Sequence, residues 1–92
     1  MASVRVEIAR YTDGHQPGFV ECRLTDADGR VWSFEEKVPV VCDEDLDAGS
    51  RYPRPGSVGC AILGRDGGVV RVGVDTLSDY FECSVPAAAI QE

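Results

Sequence analysis

The sequence lacks long apolar runs, and its 92 residues include one histidine and one lysine. No stretch approaches the roughly 18 consecutive apolar residues that a membrane span needs. The N-terminus alternates charged residues with valine, whereas a secretory signal has an apolar block there. We therefore expect a cytoplasmic protein that does not insert into membranes. A chain of this length also predicts a single domain over residues 1–92, because cores divide only in much longer chains.

Basic residues are outnumbered by acidic ones, nine to sixteen, which gives a formal net charge of -7. Residues 18–47 contain nine acids and three bases, so most of the excess negative charge lies in one third of the chain. Nonspecific affinity for nucleic acids comes from lysines and arginines that displace counterions from phosphates. The charge therefore argues against a nucleic-acid partner and favours a basic protein partner.

Close cysteine pairs are also missing, since Cys22, Cys42, Cys60 and Cys83 are far apart and no C-x-x-C motif occurs. Zinc sites are normally built from such close pairs. Three of the four cysteines have apolar neighbours two residues away, as buried thiols on strands do. We predict structural thiols, with a disulfide pair as the alternative.

No set of residues typical of catalysis is recognisable. His15 is the only histidine, and the nearest thiol, Cys22, is expected to point into the core, where it would stay protonated. Glu35 and Glu36 are adjacent on a predicted strand, so they point to opposite faces and cannot share a proton. The sequence therefore predicts a protein that is not an enzyme and has no cofactor.

Alternation of apolar and polar residues dominates the chain, and the helical spacing of 3.6 residues is nearly absent. The alternation predicts strands at 3–11, 19–24, 31–36, 58–63, 69–74 and 80–85. Asp-Gly pairs at 28–29 and 66–67 predict two hairpin turns. Pro39 places the segment 37–42 at a bend or an edge. Residues 43–57 are expected to form a long loop, with one helical turn capped by Asp43 and anchored by Tyr52.

Six or seven short strands with little helix predict an all-β fold. We favour a small, strongly bent antiparallel barrel, because closure removes exposed edges; a small β-sandwich is the alternative. The residues expected to face the interior are Val4, Val6, Ile8, Val20, Cys22, Leu24, Trp32, Phe34, Val58, Cys60, Ile62, Val70, Val72, Val74, Phe81, Cys83 and Val85.

Carboxylates at every second position, Asp43, Asp45 and Asp47, are the pattern closest to a metal site. Counted from Asp43 as an EF-hand loop, the sixth position is Ala48, which should be glycine, and the twelfth is Arg54, which should be glutamate. A solvated acidic loop is the favoured interpretation, with weak calcium or magnesium binding as the alternative.

Three segments together resemble short bacterial proteins of unknown function: Tyr11-x-Asp13-x-His15-x-Pro17-Gly18-Phe19-Val20-Glu21-Cys22, Glu36-Lys37-Val38-Pro39-Val40-Val41 and Val74-Asp75-Thr76-Leu77. The resemblance implies an all-β bacterial domain and no particular activity.

The leading functional hypothesis is a non-enzymatic protein-binding module, for instance an acidic inhibitor or immunity-type protein. Its contact surface would combine the acidic hairpin, predicted over residues 19–36, with the 43–57 loop, since tyrosine and arginine are enriched at interfaces. The alternative is a small-ligand or metal-binding barrel, or a subunit of an enzyme, with a site near His15 and the same loop. A homodimer formed through an open sheet edge is compatible with either. The candidate contact residues are Glu21, Asp26, Asp28, Glu35, Tyr52, Arg54 and Tyr80.

Overall fold

The computed structural model describes residues 1–13, 18–77 and 79–92. Strands dominate these residues, accompanied by a one-turn α-helix, α1 (Val38–Val41), and a 3₁₀ turn (Ala87–Ala89). The eight strands are β1 (Ser3–Asp13), β2 (Phe19–Thr25), β3 (Val31–Lys37), β4 (Arg54–Gly59), β5 (Ala61–Asp66), β6 (Val69–Asp75), β7 (Tyr80–Pro86) and β8 (Ile90–Gln91). The prediction of an all-β fold is confirmed. No helix in the described residues is long and apolar enough to cross a membrane.

All strand pairs are antiparallel, and they form two sheets. The first sheet has the order β3-β2-β1-β4, with β8 beside the start of β1, and the second has the order β5-β6-β7. The chain passes from the first sheet to the second at Cys60, between β4 and β5. The interior lies between the two sheets.

The barrel that the sequence favoured is not closed, and the sandwich alternative fits. Closure would require edge strands of the two sheets to pair, but β3 and β7 meet through side chains instead. Trp32 of β3 stacks on Phe81 of β7, with ring centroids 4.8 Å apart and planes within 7°. β3 and β7 are each an edge strand of their own sheet.

The core consists of the alternating apolar residues that the sequence predicted. Thirteen of the seventeen predicted interior residues are buried, and the other four, Trp32, Cys60, Ile62 and Phe81, are half-buried and packed against them. Three further buried hydrophobic residues were not predicted: Val38, Val41 and Leu46.

Both predicted hairpin turns are present. Gly29, in the β2–β3 turn, has a φ of 85°, and Gly67, in the β5–β6 turn, has a φ of 64°. These conformations are accessible to glycine because it has no Cβ atom.

The segment that connects β3 to β5 differs from the prediction in three ways. The bend at Pro39 is α1, where proline suits the first helical turn because it has no N–H to leave unpaired. The helical turn capped by Asp43 is absent, and residues 43–47 form bends and irregular chain. The predicted strand 58–63 is divided between β4 and β5. β4 begins at Arg54 and includes Pro55. An edge strand tolerates this proline, because the N–H that proline lacks is not needed for a ladder on the open side.

Candidate interaction surface

The predicted contact residues do not form one surface. Val20, Cys22 and Leu24 of β2 are buried, so Glu21 faces outward from the first sheet. Phe81 of β7 packs against the core, and its neighbour Tyr80 therefore faces outward from the second sheet. The outer faces of a sandwich point in opposite directions, so these two residues cannot contact one partner surface together.

Asp26, at the end of β2, belongs to the interior of the hairpin turn rather than to its surface. Its side chain is 9% exposed. One carboxylate oxygen accepts the backbone N–H groups of Asp28 and Arg30 at 2.9 and 3.0 Å, and the other accepts Trp32 Nε1–H at 3.0 Å. These donors, the indole foremost, lower the pKa of the Asp26 carboxyl. Asp26 fixes the turn, whereas Asp28 is exposed.

Glu21 and Glu35 lie on the outer face of the first sheet but are engaged within the protein. Glu21 accepts hydrogen bonds from Arg10 at 3.3 Å and from Arg23 at 3.1 Å. Glu35 accepts the hydroxyl of Thr12 at 2.8 Å. Because Glu21 is already paired with two arginines, the acidic hairpin presents less free negative charge than its composition indicates.

Residues 43–47, which we call the acidic loop, are attached firmly to the body of the domain. Leu46 is buried in the core. The Tyr52 hydroxyl donates to the Asp47 carbonyl oxygen at 2.7 Å, and its ring packs against the core. Burial is also the main reason that the pKa of Tyr52 is raised. Tyr52 thus anchors the loop, as the sequence predicted, and it is not an exposed contact residue.

Charged groups at the acidic loop are partly paired. Arg54 and Glu44 form an ion pair at 2.6 Å. Asp43 and Asp45 are exposed, and no cation of the described residues lies within ion-pairing distance of either. These two carboxylates are therefore available to a partner.

Tyr80 is 48% exposed and lies across the neighbouring strand β6. A Cβ atom at Gly73 would lie only 2.4 Å from the Tyr80 hydroxyl oxygen, so the ring occupies the space above that glycine. The hydroxyl donates to Glu82 at 2.9 Å, which raises the pKa of Tyr80 and lowers that of Glu82. The ring covers part of its own sheet and leaves about half of its surface free.

The metal alternative at Asp43, Asp45 and Asp47 is not supported by the geometry. No group of three or more potential ligands capable of holding an ion occurs in the described part of the chain, which contains all three residues. Asp47 instead accepts the N–H of Gly49 at 2.8 Å within its own turn. The ligand site proposed near His15 lies partly outside the described residues, and the barrel opening that it required does not form.

The four cysteines are free thiols. Cys22 and Cys83 are buried, and burial raises the pKa of Cys22 to about 12 and that of Cys83 to about 11. Burial also raises the pKa of the half-buried Cys60. These three groups stay protonated near neutral pH.

The sequence did not reveal a groove on the outer face of the first sheet that is lined by Arg5, Arg23 and Arg54. These arginines belong to three strands and are far apart in sequence. The alternating pattern of the sequence places Arg5 and Arg23 on the outward faces of their strands. Only the strand order and register bring these residues together.

Comparisons with protein-family models, with curated proteins and with solved structures found no match for this chain. The resemblance to bacterial proteins therefore stays a prediction.

Proposed function

We propose that this protein is a non-enzymatic module that binds a basic protein partner through the acidic loop. The observation that carries the proposal is the exposure of Asp43 and Asp45 without a cation of the described residues to neutralise them. A partner's lysine or arginine can pair with these carboxylates without first displacing an internal partner.

The attachment of the acidic loop supports this proposal. Leu46, Tyr52 and the Glu44–Arg54 ion pair hold the loop backbone against the domain. A loop that is already ordered loses little conformational entropy on association, and this favours binding. The two aspartates are thus presented from a preorganised support.

Long-range electrostatics support the same class of partner. The chain has a net charge of -7, and a field of one sign accelerates encounters with an oppositely charged protein. An acidic inhibitor of a basic enzyme or toxin is one concrete form of this function. Protonated thiols at Cys22, Cys60 and Cys83 also fit a non-enzymatic role, since the thiolate is the nucleophile in cysteine chemistry.

A double variant, Asp43→Asn with Asp45→Asn, tests the proposal. Its matched control is Asp66→Asn with Asp75→Asn, which removes the same charge from exposed positions on the second sheet. Binding of a deca-arginine peptide is measured by calorimetry at two salt concentrations. Proteins captured from a lysate of the source cells are compared in parallel.

We expect the loop variant to bind the peptide about fivefold more weakly at low salt, as the loss of two exposed ion pairs implies, and the control to change it less than about twofold. A basic protein captured by the wild type and the control should be lost with the loop variant. Equal weakening by both double variants would mean that net charge alone acts, and the acidic loop would not be the site.

A further inference from the structure

The arginine groove crosses the outer face of the first sheet, from β4 over β1 to β2. Arg5, Arg23 and Arg54 line it together with Glu7, and its volume is about 460 Å³. Pro53 and Pro55 form one wall. Ala89 adds further apolar surface.

The charge of this groove opposes that of the whole chain. Three arginines and one glutamate line it, whereas each of the other three grooves described has equal numbers of acidic and basic residues. The whole chain has a net charge of -7. Among the described grooves, this one has a positively charged lining and can attract an anion.

Two of the guanidinium groups are available to a ligand at low cost. Arg5 forms no ion pair with any described residue. Arg23 and Arg54 pair with Glu21 and Glu44, at 3.1 and 2.6 Å. Arg54 lies opposite the buried Ile8 in the β1–β4 register and keeps its pair with Glu44, so Arg5 and Arg23 are the guanidinium groups that project from the outer face. A guanidinium has five N–H donors, so Arg23 can bind a ligand carboxylate while it keeps Glu21.

We propose that the arginine groove binds an organic monocarboxylate with an apolar body. The planar guanidinium fork matches the two oxygens of a carboxylate, and the proline rings and Ala89 offer contacts to the apolar part. Glu7 disfavours a second negative charge, so a dianion such as phosphate binds more weakly. The groove volume lies within the range of roughly 300–1,000 Å³ that is usual for small-ligand sites.

The experiment follows backbone amide resonances of the full chain by NMR during titration with 3-phenylpropionate. The control ligands are 3-phenylpropylamine, which has the same apolar body with a cationic group, and inorganic phosphate, which has no apolar body. Arg5→Gln is the test variant, and Arg71→Gln is its matched control. Arg71 is exposed on the outer face of the second sheet and pairs there with Glu82 at 3.0 Å.

We expect saturable shifts at Glu7, Arg23 and Thr25 with 3-phenylpropionate and none that saturate with the amine. Arg5→Gln should weaken binding about tenfold, which is the usual effect of losing hydrogen bonds to a charged group, while Arg71→Gln leaves it unchanged. Glu7→Gln should strengthen binding of both phosphate and the carboxylate.

Three results would overturn the proposal: no saturable shift, equal binding of the amine, or equal losses in the two arginine variants. The spectrum of each variant without ligand shows whether it has folded. None of these substitutions alters Asp43 or Asp45, so failure here and failure of the acidic loop to bind a basic partner are separate outcomes.

Discussion

The acidic hairpin (β2, β3 and their turn) and the acidic loop look alike in composition but use their carboxylates differently. In the hairpin, Asp26 is buried under three N–H donors and Glu21 is held by two arginines. In the loop, Asp43 and Asp45 face solvent without a described cation nearby. Net charge along a sequence therefore overstates the charge that a surface can offer to a partner.

The difference follows from the local backbone. Antiparallel pairing places an outward carboxylate of the hairpin next to side chains of the neighbouring strands, and such cross-strand neighbours interact. Residues 43–47 are not part of a strand, so Asp43 and Asp45 have no cross-strand residue to pair with. Both regions are nevertheless anchored, because each contributes a leucine to the core: Leu24 from the hairpin and Leu46 from the loop.

Thiol labelling gives the largest contrast between the two regions. Cys22, in the hairpin, is buried with its pKa raised to about 12, first by burial and then by Glu36. Cys42, just before the acidic loop, is half-buried. At pH 8 a thiol of pKa 12 is ionised to about one part in ten thousand, and the thiolate is the reactive form.

We therefore expect Ellman's reagent at pH 8 to label Cys42 at least about a hundredfold faster than Cys22. The measurement uses a chain with Cys60→Ser and Cys83→Ser, so that each of the two remaining rates can be assigned, and Cys42→Ser added to it leaves the slow phase alone. Comparable rates for the two thiols in the folded protein would contradict the burial of the hairpin interior.

Truncation of the two anchoring leucines tests whether the acidic loop is as firmly held as the hairpin. Leu24 is 1% exposed and Leu46 is 7% exposed. Leu24→Ala and Leu46→Ala should each reduce the free energy of unfolding by about 2–5 kcal/mol, because buried leucines lose both transfer energy and packing. Urea denaturation measures the change.

Leu63→Ala is the control, since Leu63 is 46% exposed on edge strand β5 and exposed positions usually change stability by less than about 0.5 kcal/mol. If Leu46→Ala resembled this control, the acidic loop would not be preorganised, and one support for its role in binding would be lost.

Much of the fold could be predicted from the sequence, because side chains on strands alternate between two faces. Val4, Val6 and Ile8 were assigned to the interior from that alternation, and all three are buried. Closure of the barrel could not be predicted, since it depends on whether β3 and β7 pair. In the structure these two strands are unpaired, and their contact includes the stacking of Trp32 on Phe81, two residues 49 positions apart.

The candidate sites were less predictable, because they also depend on contacts between residues that are far apart in sequence. The role of Tyr52 as a loop anchor was recognised, but burial of Leu46 was not, because a single leucine among acids has no periodic pattern. Arg5, Arg23 and Arg54 share a groove only through the pairing of β1 with β2 and β4. The registers of β1 with β2 and with β4, which no tight turn fixes, therefore determine which charges meet.

The dependence of stability on the ionisation of Asp26 is the smallest of the expected effects. It distinguishes the roles of the carboxylates most directly. The Trp32 indole donor, followed by the backbone N–H groups of Arg30 and Asp28, lowers the pKa of Asp26 in the folded protein. In the unfolded chain the pKa is about 3.9. A carboxyl with a lowered folded pKa stabilises the fold fully above the unfolded pKa, and this contribution is lost as the pH falls through the folded pKa.

We therefore expect the thermal midpoint of the wild type to fall as the pH is lowered from about 5 to 2, and part of that fall to disappear in Asp26→Asn, which cannot ionise. Asp43→Asn, at a carboxylate that accepts no hydrogen bond from a described residue, is the matched control. Fluorescence of Trp32, the one tryptophan, reports both unfolding and protonation of its acceptor. If Asp43→Asn flattened the curve as much as Asp26→Asn, the two acidic regions would be equivalent in solution, and the distinction between engaged and available carboxylates would fail.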